Sequence, residues 1–220
     1  VATGARYYGW FPMSRHVDMT VKPTADGLRD EGPHRAAHAP VYRAYVRTDR
    51  DPYYQPGEDA EDRHALLRGL FITGTDTGVG KTVVACAIAE ALRRRHRDVG
   101  VMKPIETGVG AQGPLDAISL CEAAGVSDSL DLVCPQRFAL PAAPSVAAKH
   151  ERRVVDLDAI RAAHAELARR HAFLLIEGAG GILVPIRAGY SMAELAAEFD
   201  APLVVVTRAS LGTINHTLLT

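Results

Sequence analysis

The sequence predicts an α/β protein built on a doubly wound sheet of mostly parallel strands. Three observations carry this expectation. Residues Ala172 to Ile176 and Pro202 to Val206 are continuous apolar runs, the pattern of strands covered on both faces. Lys81 to Arg95 repeats apolar residues at helical spacing (Val84, Ala87, Ile88, Ala91, Leu92) between two short apolar stretches, Leu70 to Thr73 and Val99 to Met102, which together make a βαβ unit. A glycine-rich segment, Gly74 to Thr82, joins the first of those strands to that helix. The remaining elements follow in order. Asp116 to Ala124 reads as a helix, and so does Asp156 to Arg170, with Leu157, Ile160, Ala163 and Leu167 on one face and Asp156 as its cap. Ile214 to Thr220 opens a further helix after the strand Leu203 to Val206. A layer of this kind continues with another strand or two, so the sheet reads as incomplete at the C-terminus.

Composition bounds the function classes. A chain of 220 residues with 47% hydrophobic content holds one ordinary domain, or one and a fragment, with a real core. Lys+Arg 25 against Asp+Glu 26 leaves a net charge of -1, which provides no broad field for a nucleic-acid backbone or an anionic membrane. No apolar run approaches the roughly 18 to 20 residues of a membrane span, and the N-terminus lacks the basic-then-apolar layout of a secretion signal. The expectation is a soluble, cytoplasmic protein with no nucleic-acid or membrane partner. Cys86, Cys121 and Cys134 form no C-x-x-C pair and read as thiols in a reducing compartment.

The composition changes near residue 68. Tyr7, Tyr8, Tyr42, Tyr45, Tyr53, Tyr54 and the single Trp10 precede it, and all the cysteines follow it. Residues 1 to 67 show no sustained period beyond stretches such as Val41 to Val46, and are read as an unassigned N-terminal segment, a candidate fragment of another protein. Arg6 to Met13 resembles part of an uncharacterised reductase-like family, and no function follows from it. Residue 1 is Val, which points to a start upstream or a processed one.

The strongest motif is Gly74-Thr-Asp-Thr-Gly-Val-Gly-Lys-Thr82, between a strand and a helix. Small residues let successive backbone N–H groups turn toward phosphate oxygens, and the helix adds its positive end. Gly78 and Gly80 can take positive φ, Lys81 would neutralise the β and γ phosphates, and the Thr82 hydroxyl would ligate magnesium. A strict G-x-x-x-x-G-K-[ST] motif places glycine where this chain has Thr75, with Gly74 one step earlier. Leu174 to Gly181 ends a buried strand in Glu177-Gly-Ala-Gly-Gly, so Glu177 emerges at the same sheet edge and can reach the metal. Val101 to Gly108 brings Lys103 to that edge, suited to charge on a transferring phosphoryl group. Thr107 and Gly108 form a polar turn. Asp116, at a helix start, reads from the residues alone as a cap or an outer metal ligand, with the cap favoured.

These segments, with Leu211-Gly-Thr-Ile-Asn-His216, resemble the dethiobiotin synthetase family from about Leu70 to Thr220. The resemblance implies a P-loop NTPase-like fold and an ATP- and Mg2+-dependent ligase. It would convert 7,8-diaminononanoate, CO2 or bicarbonate and ATP to dethiobiotin, ADP and phosphate through a carbamate and a carbamic-phosphoric anhydride. It makes Lys81 and Lys103 catalytic. Thr75, Asp76, Thr77, Gly78, Val79, Gly80, Lys81, Thr82 and Val83, with Asp116, Glu177, Gly178, Ala179 and Gly180, become ATP-binding. Thr82, Asp116 and Glu177 become the metal residues, which replaces the cap reading of Asp116. Thr107 binds substrate, and Asn215 holds the substrate carboxylate from the opposite subunit, so a homodimer is implied. Three departures stand out: Gly78 at a loop position sometimes acidic in the family, Pro144-Ser145 where the family often has histidine after the second proline, and the family's adenine-holding segments, which follow the position of Thr220.

Weaker signals have plainer readings. His34 and His38 stand at helical spacing but lack a third metal ligand, and Arg93 to Arg97 closes a helix whose dipole favours cations. Alternatives to the ligase are a cobyrinate-type amidoligase domain, a partition-type switch ATPase, whose signature lysine falls where this chain has Asp76, and an inactive chimeric fragment.

Overall fold

The structure is a computed structural model that describes the strand Tyr42–Val46 and residues 68–220. Within these residues the chain runs β1 (Tyr42–Val46), β2 (Gly69–Gly74), α1 (Lys81–Arg94), β3 (Val99–Met102), β4 (Ile105–Thr107), α2 (Leu115–Ala124), α3 (Leu130–Val133), β5 (Gln136–Phe138), α4 (Pro144–His150), α5 (Leu157–Arg170), β6 (Phe173–Gly181), β7 (Pro185–Arg187), β8 (Tyr190–Ser191), α6 (Met192–Glu198), β9 (Leu203–Arg208) and α7 (Thr213–Leu219). His34, His38 and the segment Arg6 to Met13 lie outside the described residues.

The central sheet orders its strands β1-β9-β2-β6-β3. The pairs β2/β6, β2/β9 and β3/β6 are parallel, and β1 closes one edge antiparallel to β9. That edge strand comes from the N-terminal segment, which the sequence pattern alone left without a core. Because β6 lies between β2 and β3, the βαβ crossover through α1 skips one place in the sheet. The carboxyl ends of β2, β3, β6 and β9 therefore share one edge.

Alternation along each strand builds two cores, one per face. Phe71, Met102, Leu174 and Ile176 face the layer made by α4, α5 and α6, where Ile160, Leu167, Met192 and Leu195 are buried. Ile72, Val101, Leu175, Val204 and Val206 face α1 and α2, meeting Ala85, Ala89, Ala117 and Leu120. This is the doubly wound arrangement, and it explains why the strands read as unbroken apolar runs. Asp156 caps α5 as expected, its side chain accepting from Ala159 N–H at 2.9 Å. In α1 the expected apolar face is corrected: Ala87 and Ala91 are exposed, and the buried residues are Lys81, Ala85 and Ala89, flanked by Val84, Ile88 and Leu92. The small alanines bring the helix close to the sheet, and the larger residues wedge in from the sides. The end of α1 carries Arg93 and Arg94, Arg93 donating to Ala123 O across to α2.

The opposite sheet edge is tied by His171. Its Nδ1 lies 2.8 Å from Asp98 Oδ1 and its Nε2 2.8 Å from Asp128 Oδ2, and its ring lies where a side chain at Gly100 would collide with it. Burial opposes the imidazolium, but the two carboxylates outweigh it and raise the His171 pKa above the ordinary value. A raised folded-state pKa adds stability that is fully present below the unfolded value of about 6.5 and is lost as pH rises through the folded value. His171→Ala is expected to lower unfolding free energy by about 2 kcal/mol at pH 6, with a smaller loss above pH 8, measured by urea unfolding at both pH values.

Candidate active site

Between β2 and α1 the chain turns through two left-handed glycines, Gly78 at φ 69 and Gly80 at φ 98. A Cβ at Gly74 would stand 2.7 Å from Val79 Cγ2, so the buried Val79 can fold under the loop only beside glycine. Gly80 is the N-cap of α1, with no side-chain cap and no acidic residue in the first turn. The first N–H groups of α1 are thus left for an external acceptor, and the helix dipole favours an anionic one. Three contacts hold the loop to β9: Thr75 N–H donates to Val206 O at 3.0 Å, Thr75 Oγ1 to Thr207 Oγ1 at 3.4 Å, and Arg208 Nη2 to Thr77 O at 3.2 Å. Lys81 folds back over the loop, donating to Asp76 O at 3.0 Å. Burial, reinforced by the nearby Lys103 charge, holds the Lys81 pKa below the ordinary lysine value. A bound anion would relieve both effects.

Beside the loop sits a buried ionic cluster. The parallel register pairs Met102 with Ile176, so Lys103, just past the end of β3, and Glu177, the next residue of β6, stand side by side. Lys103 is 3% exposed and Glu177 1%. Lys103 Nζ donates to Glu177 Oε1 at 2.6 Å and to Asp116 Oδ2 at 2.7 Å. Thr82 Oγ1, in the first turn of α1, donates to the same Glu177 oxygen at 2.9 Å. Burial opposes the Lys103 charge, but Glu177 and then Asp116 outweigh it, so the ammonium is held well above its usual range. Burial likewise opposes the Asp116 carboxylate, and Lys103 outweighs it, leaving Asp116 lowered.

The second oxygen of Glu177, Oε2, is buried and has no hydrogen-bond partner. Together with Asp116 and the Thr82 hydroxyl it forms an all-oxygen donor set suited to a hard divalent cation. No group of three or more His, Cys, Asp or Glu able to hold a metal occurs among the described residues.

Most of the residues singled out from the sequence converge here: the loop from Thr75 to Val83, Lys103, Asp116, and Glu177 to Gly180 at the end of β6. The strand does not end at Glu177: β6 runs on through the glycines to Gly181. Asp116 does not cap α2: the N-cap position is Pro114, and Asp116 is the second residue of the helix, its carboxylate on Lys103. Thr107 ends β4, directly along the chain from the cluster. Asn215 stands apart, exposed on α7. Among the described residues that helix meets β9 through hydroxyls, with Thr207 Oγ1 2.7 Å from Thr213 Oγ1. Sequence reasoning passed over Thr207, Arg208 and Glu106. The first two had only their place at a strand end as a signal, and Glu106 lay unremarked inside a quoted motif.

A doubly wound sheet whose phosphate loop, uncapped helix start and caged lysine share one edge defines a P-loop nucleotide-binding protein. Residues 68–220 match a family model described as an AAA domain. The chain is 51% identical over 154 residues to the ATP-dependent dethiobiotin synthetase BioD of Anaeromyxobacter dehalogenans strain 2CP-C, covering 70% of this chain and 69% of that protein. It is 46% identical over 151 residues to the ATP-dependent dethiobiotin synthetase BioD of Aquifex aeolicus, covering 69% and 67% of the two chains. It is 39% identical over 151 residues to that of Methanococcus vannielii, covering 69% and 70%. The chain belongs to the dethiobiotin synthetase family. Residues 1–75 match a second model, described as Protein of unknown function (DUF2855).

Gly80→Ala forces a Cβ into the left-handed region, at a cost of about 1 to 2 kcal/mol. It is expected to weaken ADP binding at least tenfold, read by isothermal titration calorimetry, while circular dichroism stays unchanged.

Proposed function

We propose that the chain is an ATP- and Mg2+-dependent cyclo-ligase that makes dethiobiotin from 7,8-diaminononanoate, CO2 and ATP in biotin biosynthesis. The observation that carries this reading is the caged Lys103: an ammonium kept charged by Glu177 and Asp116, with only β6 between its strand and the one leading into the phosphate loop, in a chain of this family.

In the proposed reaction one amine of the diamine adds to CO2 and releases a proton, giving a carbamate. A carbamate oxygen attacks the γ phosphorus of ATP and ADP leaves. The second amine then attacks the carbonyl carbon of the mixed anhydride and loses a proton, phosphate departs, and the cyclic urea closes. Each step builds or moves negative charge, and no side-chain nucleophile is required. Catalysis is then positioning and charge stabilisation. Lys81 and the uncapped N–H groups of α1 bind the phosphates. Lys103 meets the carbamate and the phosphoryl group in transfer. Thr82, Asp116 and Glu177 would hold Mg2+, which neutralises phosphate charge when bound. The loop residues Thr75 to Val83 and Glu177 to Gly180 surround the nucleotide, and Thr107 contacts the diamine.

Asn215 is proposed to reach the substrate carboxylate of a second subunit. Supporting a homodimer, its helix exposes Ile214, Leu218 and Leu219, an apolar set with nothing over it among the described residues. Residues 68–220 are proposed to carry the reaction, with Tyr42–Val46 adding an edge strand and the rest of residues 1–67 forming a separate N-terminal segment. No helix among the described residues is long and apolar enough to cross a membrane, and the location proposed from the sequence is cytoplasmic.

The test is phosphate release from Mg·ATP with and without 7,8-diaminononanoate and bicarbonate. Release that requires the diamine, with dethiobiotin formed in equal amount, is expected. Lys103→Ala should lower it at least a hundredfold. Release indifferent to the diamine would sink the ligase reading and favour a switch ATPase.

A further inference from the structure

The first turn of α2 lacks a cap of its own. Its N-cap is Pro114, which offers no side-chain acceptor, and the early N–H groups of any helix have no partner within it. Those of Asp116 and Ala117 are instead taken by Glu106 from β4: Asp116 N–H donates to Oε1 and Ala117 N–H to Oε2, each at 3.1 Å. One carboxylate thus grips two successive backbone amides. Glu106 is 7% exposed and makes no ion pair among the described residues. A buried carboxylate is costly to keep, and a short polar side chain at the N-cap would take such amides with less burial, so its presence here calls for a return beyond closing a helix.

That return is the placement of Asp116. Its side chain is 41% exposed, so packing does not hold it; it is fixed at one end by Lys103 and at the other by the grip on its own N–H. Lys103 is itself shared with Glu177. Without Glu106 the first turn of α2 would be free to fray, and Asp116 would be left with Lys103, which it shares with Glu177, and the neighbouring Thr82 hydroxyl.

We propose that Glu106 is the positioning residue of this site: by capping α2 from β4 it holds Asp116 in the donor set that also includes Thr82 and Glu177. The inference rests on the metal site of the proposed function. Outer residues that orient a metal ligand typically contribute 10- to 100-fold to metal affinity, and this sets the size of the effect.

The test uses the full chain and a non-hydrolysable ATP analogue with a methylene bridge between its β and γ phosphorus atoms. Its affinity is measured calorimetrically in EDTA and in Mg2+. The ratio of the two affinities reports the metal site alone, because the loop and Lys81 bind phosphate in both conditions. In Glu106→Ala this ratio should fall about tenfold or more while metal-free affinity stays within about twofold of wild type. Glu106→Gln keeps one acceptor oxygen but turns an NH2 toward the other amide, so its ratio should fall between the two. An unchanged ratio in a folded variant, or metal-free affinity falling in parallel with the metal-bound one, would overturn the proposal. If the Ala variant does not fold, the Gln variant decides by the same ratio. Wild-type chain binding equally with and without Mg2+ would remove the metal site and Glu106's role together. Failure of the ligase reading shows separately, as phosphate release that ignores the diamine.

Discussion

An ammonium group at 3% exposure can remain charged only if anions surround it, and the structure around Lys103 meets that condition. Glu177 and Asp116 supply the anions at 2.6 and 2.7 Å, and Thr82 shares the Glu177 oxygen. The four residues come from just past the end of β3, the middle of β6, the first turn of α2 and the first turn of α1. They can meet only if those strands are parallel, β6 lies beside β3, and both helices start at the same edge. A buried ion pair is weak evidence for stability, since apolar replacements often do as well. Its value here is a fixed charge with no reorganisation left to do when a phosphate arrives.

The phosphate loop follows a complementary logic. The cluster pairs its ammonium with opposite charges and leaves one Glu177 oxygen without a partner, whereas the loop leaves its donors open: an uncapped helix start, left-handed glycines, and a lysine whose burial and like-charged neighbour both disfavour its charge. An anion bound there would meet unsatisfied donors. The alanine face of α1 serves this arrangement, because a small face lets the helix sit close enough to the sheet for Thr82 to touch Glu177.

Much of this was legible in the chain. The long apolar strands, the amphipathic α5 with its Asp156 cap and the glycine-lysine loop each repeat a local signal over enough residues to be read. The short elements were not. β4, β5, β7 and β8, with α3, α4 and α6, are too brief for a period of 2 or 3.6 to establish itself. In α1 the apolar period was correctly seen and its centre misplaced, because alanine is small enough for either face and only the neighbouring sheet decides which alanines are covered.

Local spacing therefore determined the fold class, the order of the main strands and helices, the phosphate loop and the sheet edge on which Lys103 and Glu177 stand. Tertiary structure alone decided what those groups do to one another. Lys103 meets Asp116 across 13 residues and Glu177 across 74, and Thr82 meets Glu177 across 95. No local period reports contacts at such separations. They depend on which strand lies beside which, and on a glutamate in β4 taking the amides that a proline left uncapped.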